Sequence, residues 1–440
     1  MKPSLRFALS FGLTLGFIAP VRAQDVRQKP KLDRLDAERA HVMLREAYTS
    51  VKKNYYDPTF RGIDLDARYH EYDTRLNQAS SLGDAFRAIA AFLAGFHDSH
   101  LFFMPPGRAV KVDPGYRMQM VGERCIVTRV RPETDAAHKL KPGDQIVQFA
   151  GYNVGISDLH DIEYAFHLLS PSSIDKLSVQ TPDGHRMAVT INNTVTPLKH
   201  SLDISNQSDR GDLLLQRESD EDLSRERFVE TPQAFFWKMS QFRASPGVVN
   251  GIFEIASKYP AIVLDLRGNP GGYIDTLQHI VGHLFPHDVK ISDRIGRKES
   301  KPQLAKAEKT PYTGKVVVLI DSKSASSSEL FARVMQLEHR GTVIGDASAG
   351  AVMEARHFSV EAGAESVIFY GFSVTDANLI MADGKSLEGE GVHPDETVLP
   401  TAEDLAAGRD PVMARASELV GSKLDPVSAA KLFPFEWPKL

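Results

Sequence analysis

The chain has 440 residues, an apolar fraction of 42 % and a charged fraction of 25 %, the balance of a folded globular protein and more than one compact core holds, so two or three domains are expected. With 52 basic against 57 acidic residues the net charge is −5, which argues against a nucleic-acid partner. The single cysteine, Cys125, excludes an internal disulfide and a cysteine-rich zinc site, and its alternating apolar surroundings mark it as a small buried hydrophobe.

At the start of the chain, Lys2 and Arg6 precede an apolar stretch over residues 7–18 that closes at Val21-Arg22-Ala23, the pattern of an export signal. It is shorter than the roughly 20 residues of a spanning helix. Removal of residues 1–23 takes away Lys2, Arg6 and Arg22 and moves the charge to 49 − 57 = −8, leaving a mature protein that starts near Gln24, outside the cytoplasm and without an integral membrane segment.

Residues 32 to about 101 carry apolar residues at helical spacing, as in G-D-A-F-R-A-I-A-A-F-L-A-G-F, and predict a helical unit. From about 110 to 195 the texture turns to short β-like runs at 116–121, 125–130, 144–149 and 187–191, with one helical stretch at 159–168 and turns at K-P-G-D and P-D-G, which predicts a small separate module. The charged segment 201–232 reads as a linker or surface excursion. After it, strands are predicted at 235–242, 261–266, 316–320 and 342–344, alternating with helices at 248–258, 273–284 and 328–337, an α/β layered domain built of βαβ units. A closing helix follows, with Asp410 as its cap and Pro411 at its first position.

Four stretches could carry chemistry. In D-S-K-S-A-S-S-S-E-L, residues 321–330, Ser326 and Glu329 have the spacing of a capping box, in which the Ser326 hydroxyl accepts an amide proton. The same strand-to-helix turn would also present a serine hydroxyl beside unpaired amides able to bind an oxyanion. The run A-I-V-L-D-L-R-G-N-P-G-G-Y, residues 261–273, leads a buried strand into a glycine turn; it lacks both phosphate-binding glycine spacings, and Gly271 or Gly272 could offer further amides. F-H-D-S-H-L, residues 96–101, holds two histidines without a third metal-ligand motif, and either capping or a general base fits them. S-L-E-G-E-G-V-H-P-D, residues 386–395, reads alone as a solvated turn, though a carboxylate there could hold an imidazole.

Taken in this order, D-S-H, the PDZ-like stretch I-V-T-R-V-R-P-E-T-D-A-A-H-K-L-K-P-G-D-Q-I-V-Q-F-A-G at residues 126–151, D-L-R-G-N-P-G-G, S-A-S-S-S-E-L, I-G-D-A-S-A-G and E-G-E-G-V-H-P-D resemble the family of carboxy-terminal processing proteases, tricorn core protease and interphotoreceptor retinoid-binding protein. The likeness extends to N-Y-Y-D-P at residues 54–58 and to the tail around Asp410-Pro411. It implies an α/β architecture with an N-terminal helical domain (24–105), a PDZ-like domain (106–200) and an α/β, ClpP/crotonase-like peptidase core with a helical tail (201–440), behind a signal peptide (1–23). The position of the lysine base used by many members is Ala351, so the resemblance is to the tricorn-like branch. That branch implies Ser326 as nucleophile, His100 as base, Ser99 and Glu388 as its supports, and Gly271, Gly272 and Ser327 around the oxyanion, with Glu390 standing as the alternative to Glu388. Lys323 is expected to point into the strand's end. The resemblance implies polypeptide substrates and no metal or organic cofactor, and leaves homo-oligomerisation open. Two other classes compete: a catalytically inactive exported peptide-binding protein, and a binder of small apolar ligands.

Overall fold

The computed structural model describes residues 32–107, 110–156, 158–197, 225–362 and 368–438. The export signal and most of the charged segment, 198–224, lie outside these residues. Three helices open the described chain: α1 (Arg34–Asn54), α2 (Leu65–Leu76) and α3 (Leu82–Ala94). Each starts at an acid or serine, Asp33, Asp64 or Ser81, whose side chain accepts a first-turn amide, the reason those helices begin where they do. The apolar stripe of α3 buries Phe86, Ile89, Phe92 and Leu93. Strand β1 (Phe102–Met104) follows and pairs antiparallel with a distant strand, Phe103 opposite Phe372. This strand carries the residues just before it out of the helical unit and into the core.

The small module is an antiparallel sheet of β2 (Tyr116–Val121), β3 (Arg124–Val130), β4 (Gln145–Phe149), β5 (Ile174–Gln180) and β6 (Arg186–Asn192) in that spatial order. Cys125 lies in its core, where burial pushes the thiol up to about 12, consistent with a packing role. The predicted helix at 159–168 is one α-turn, Leu159–Glu163, continued by a π-helical segment, Tyr164–Leu169.

The core sheet is ordered β7 (Arg227–Glu230), β8 (Phe235–Lys238), β9 (Ala261–Asp265), β10 (Lys315–Ile320), β11 (Thr342–Gly345) and β12 (Glu396–Thr397), with every pair after the first parallel. Within the segment expected to be a linker, Arg227–Glu230 is therefore an edge strand, and the strand expected over 235–242 stops at Lys238, Phe242 making only an isolated bridge to Gly272. Val316, Val318 and Ile320 face one apolar cluster and Val317 and Leu319 the other, so β10 is covered on both faces, as its continuous apolar run requires. The helices Pro246–Ala256, Ile274–Gly282 and Ser327–Leu337 lie on the first face; Pro411–Leu419, capped by Asp410 through the Met413 amide, lies on the second. A second sheet, absent from the sequence expectation, joins β1 to the strand Ile368–Met381, which also pairs with Val289–Gly296 and Met353–Ala362. Among the described residues no helix is long and apolar enough to cross a membrane.

Candidate active site

The buried strand β10 ends at Ile320, and the turn after it is tied to the glycine turn after β9. Asp321 Oδ1 accepts from the Gly268 and Lys323 amides at 2.8 and 3.0 Å, and Ala325 N donates to Asn269 O at 3.0 Å. Three of the four clustered serines donate their hydroxyls across the same seam: Ser324 to Leu266 O at 2.8 Å, Ser327 to Gly272 O at 3.0 Å and Ser328 to Asn269 O at 3.0 Å. Ser326 is different. It is the N-cap of the helix Ser327–Leu337 in the capping-box arrangement with Glu329 that the spacing predicts, and among the described residues its hydroxyl donates to no main-chain carbonyl. Its backbone sits at φ 54, ψ −118, a conformation a serine adopts only when its surroundings enforce it.

What enforces it is Glu329. This buried carboxylate accepts from Ser326 N (2.9 Å), Ala351 N (3.0 Å), Gly350 N (2.7 Å) and Ser348 Oγ (2.6 Å). Burial pushes the Glu329 carboxyl up to about 7 against these donors. Sequence reasoning gave Glu329 only a capping role; the S-A-G of I-G-D-A-S-A-G was the signal that further donors converge on it. Ser326 N also donates to Ala351 O at 2.9 Å, so Ala351 holds the Ser326 turn through its main chain.

Beside Ser326 the glycine turn leaves no room for a side chain. A Cβ on Gly271, at φ +96, would lie 2.7 Å from Ser326 Cβ, and one on Gly272 would lie 2.3 Å from Phe242 O. The Gly271 amide already donates to Asn269 Oδ1 at 2.8 Å, and buried Asn269 is fixed in turn by its donation to Met239 O at 3.0 Å. The amides of Gly272 and Ser327, by contrast, donate no hydrogen bond among the described residues.

The histidine end is built on a buried carboxylate. Asp98 accepts from Thr375 Oγ1 (2.6 Å), Tyr55 Oη (2.9 Å) and the His100 amide (3.0 Å). Arg61 steadies the preceding carbonyls, Phe96 O and His97 O. Thus Tyr55 of N-Y-Y-D-P and the start of D-S-H are one unit. Ser99 Oγ lies 2.8 Å from His100 Nδ1 and donates to Glu388 Oε2 at 2.8 Å, while Glu388 also accepts from Ser99 N and Val352 N, each at 2.8 Å. Because an ionised carboxylate only accepts, the single hydroxyl proton of Ser99 points to Glu388 and its oxygen must accept from His100 Nδ1–H. The Nε2 lone pair is then the free one. Burial lowers the His100 pKa, the Asp98 charge opposing and His357 adding to the shift, and burial raises that of Glu388 against its donors. Glu390 is exposed, and among the described residues its side chain makes no hydrogen bond.

The structure thus brings Ser99, His100 and Glu388 together, and it holds Ser326 and Glu388 on adjacent residues of one segment, through Ala351 O and Val352 N. Among the described residues no hydrogen bond joins Ser326 to His100. Lys323 does not point into the strand's end: its Nζ reaches Glu163 Oε1 of the small module at 3.3 Å. A cleft of about 680 Å³ between module and core is lined by Met118, Gln119, Gly268 and Asp321 and does not include Ser326 or His100.

Comparison with known proteins matches residues 237–398 to peptidase family S41 and residues 36–94 to the tricorn protease C1 domain. A carboxy-terminal-processing protease of Bartonella bacilliformis is 30 % identical over 181 residues, 39 % of this chain and 39 % of its own length. The carboxy-terminal processing protease CtpB of Bacillus subtilis is 25 % identical over 329 residues, 73 % of this chain and 62 % of its own length; the chain therefore spans less than two thirds of these relatives. The crystal structure of mature CPAF superposes with a TM-score of 0.62 at 14 % identity, covering 89 % of this chain and 97 % of that one, a likeness of fold.

Proposed function

We propose that this chain, whose residues 237–398 match peptidase family S41 and whose residues 36–94 match the tricorn protease C1 domain, is an exported serine endopeptidase that hydrolyses polypeptides, with Ser326 as nucleophile, His100 as general base and Ser99 and Glu388 as the pair that orients the imidazole. The observation that carries the reading is the tautomer: Ser99 and Glu388 direct the Nδ1 proton and so leave Nε2 able to take one. In the reaction, Ser326 Oγ forms a bond to the peptide carbonyl carbon as its proton passes to His100 Nε2. The carbonyl oxygen takes the negative charge, met by the unpartnered amides of Gly272 and Ser327, while Gly271 supplies the room beside Ser326 rather than a donor. The carbon–nitrogen bond then breaks with return of that proton to the leaving amine, and water, deprotonated by the same nitrogen, releases the acyl group.

Such transfer needs the two side chains within hydrogen-bond reach, so the reading includes an approach of the D-S-H loop to Ser326 when substrate binds. The small module is assigned a PDZ-like part in presenting substrate, and residues 1–23 the export signal. The test uses the chain without residues 1–23 on an unfolded protein substrate. Cleavage and labelling by a serine-directed phosphonate are expected in the wild type, with both abolished in Ser326→Ala and turnover reduced by roughly 10²–10⁴-fold in His100→Ala. A wild type that neither cleaves nor labels would replace the peptidase by the peptide-binding reading.

A further inference from the structure

The helix after the glycine turn, Ile274–Gly282, ends in H-I-V-G-H, residues 279–283. Histidines four apart share one helix face. Here both rings turn to one oxygen, His279 Nε2 lying 2.7 Å and His283 Nε2 2.8 Å from Asn250 Oδ1. An amide oxygen only accepts, so both rings present Nε2–H to it and each Nδ1 keeps its lone pair. His279 Nδ1 then faces Glu308 Oε1 at 3.6 Å, two electron-rich atoms beyond hydrogen-bond distance. One candidate ligand atom from each of His279, His283 and Glu308 lies within 4.8 Å of the others.

The residues are held in place. Phe253 stacks on His283 at 4.4 Å and 8°, and the two imidazoles meet edge-on at 5.0 Å. Glu308 N donates to Gly282 O at 2.9 Å and Tyr312 N to His283 O at 2.7 Å.

We propose that His279, His283 and Glu308 bind a divalent transition-metal ion of the zinc type. Two imidazole nitrogens and one carboxylate oxygen suit zinc and its neighbours, whereas calcium and magnesium take oxygen ligands. His283 lies ten residues, about 15 Å of helix rise, beyond Tyr273, so the ion is no part of the hydrolytic chemistry. It ties the far end of this helix to the segment before β10, and the near end of the same helix follows the turn of Gly271 and Gly272.

The test strips the full chain with a chelator, removes the chelator, and adds Zn²⁺ alone, reading bound metal by elemental analysis and the thermal midpoint. One retained zinc per chain and a midpoint raised by several degrees are expected, with Mg²⁺ giving neither and with both effects lost in His279→Ala and Glu308→Gln. Glu308 is only partly buried, so its glutamine variant decides the matter if the histidine variant does not fold. Absence of zinc binding in the wild type, as for a plain histidine–carboxylate pair, overturns the proposal; so does equal retention by Glu308→Gln or an equal shift with Mg²⁺.

Discussion

Four serines stand within five positions, and only their hydrogen bonds tell them apart. Ser324, Ser327 and Ser328 are committed to main-chain carbonyls of the neighbouring turn, and Ser326 is not. A sequence lists the hydroxyls but not the carbonyls they meet, so only the motif match singled out Ser326. The same holds for Glu388 and Glu390, where one carboxylate accepts three hydrogen bonds and the other lies in solvent. The His100 shift sets the direction of the pH dependence. An imidazole acts as base only when neutral, and burial lowers the His100 pKa from its ordinary 6.5. The neutral form therefore persists as pH falls through 6.5, and activity is lost only at lower pH. The acid limb of kcat/KM is expected to have its midpoint below 6.5, and a midpoint at or above that value would remove His100 from the role.

At the scale of elements, the strands legible in the sequence were those buried on both faces, such as Val316 to Ile320. Strand Ile174–Gln180 was missed because one of its inward positions is Asp175, a buried carboxylate satisfied by Tyr116 Oη and Asn193 Nδ2 at 3.0 Å each, which breaks the apolar alternation. The strands Val289–Gly296 and Met353–Ala362 carry many charged residues, paired across the sheet as Arg294 with Glu354 at 2.7 Å, and so look like loops in one dimension. The glycine turn was legible as a turn, but not its closeness to Ser326. That closeness makes a prediction with an internal control. Gly271 and Gly268 both have positive φ, +96 and +73, yet a Cβ on Gly271 meets Ser326 Cβ at 2.7 Å and one on Gly268 meets nothing within 4 Å. Alanine at either site should cost about 1–3 kcal/mol in backbone strain. Only Gly271→Ala should also displace Ser326, the proposed nucleophile, and lower turnover by roughly 10²-fold. Denaturation curves and steady-state kinetics on the two variants check this, and equal activity in both would show that Gly271 is a turn residue and nothing more.

Across the whole molecule, the turn after β10 that carries Ser326 joins the core to the small module. The small module reaches it through Gln119 Nε2 to Asp321 Oδ2 and Ser322 Oγ to Met120 O, at 2.7 and 2.6 Å. The C-terminal tail lies over the module's arginines, with Arg129 4.6 Å from the Phe435 ring centre and Arg131 4.7 Å from that of Trp437. The clamp behind the site is Arg267 of D-L-R-G, whose guanidinium makes paired hydrogen bonds to Asp265 and to Asp410 at 2.8–2.9 Å, while Lys238 Nζ lies 3.2 Å from Asp265. This arrangement joins β9 to the start of the helix Pro411–Leu419. Burial by itself would raise the Asp265 carboxyl, but Arg267 and Lys238 outweigh it and hold that group well below the usual carboxylate range. Its stabilising contribution is therefore complete above about pH 4, where the unfolded chain's carboxylates are ionised, and is lost as pH falls below that. Asp410 does two jobs, pairing with Arg267 and capping the helix through Met413 N at 2.9 Å. Asparagine caps as well as aspartate, so Asp410→Asn removes the charge and keeps the cap. Removing one partner from a buried pair costs about 3–5 kcal/mol; with Asp410 20 % exposed and Asp265 still in place, a loss near or below the lower end of that range is expected. Asp410→Ala should lose about 1 kcal/mol more. Urea denaturation of the two variants at pH 7 separates the terms: identical losses would mean that the cap contributes nothing, and no loss in Asp410→Asn would mean that Asp265 alone satisfies Arg267 and that the tail helix is held by its apolar face.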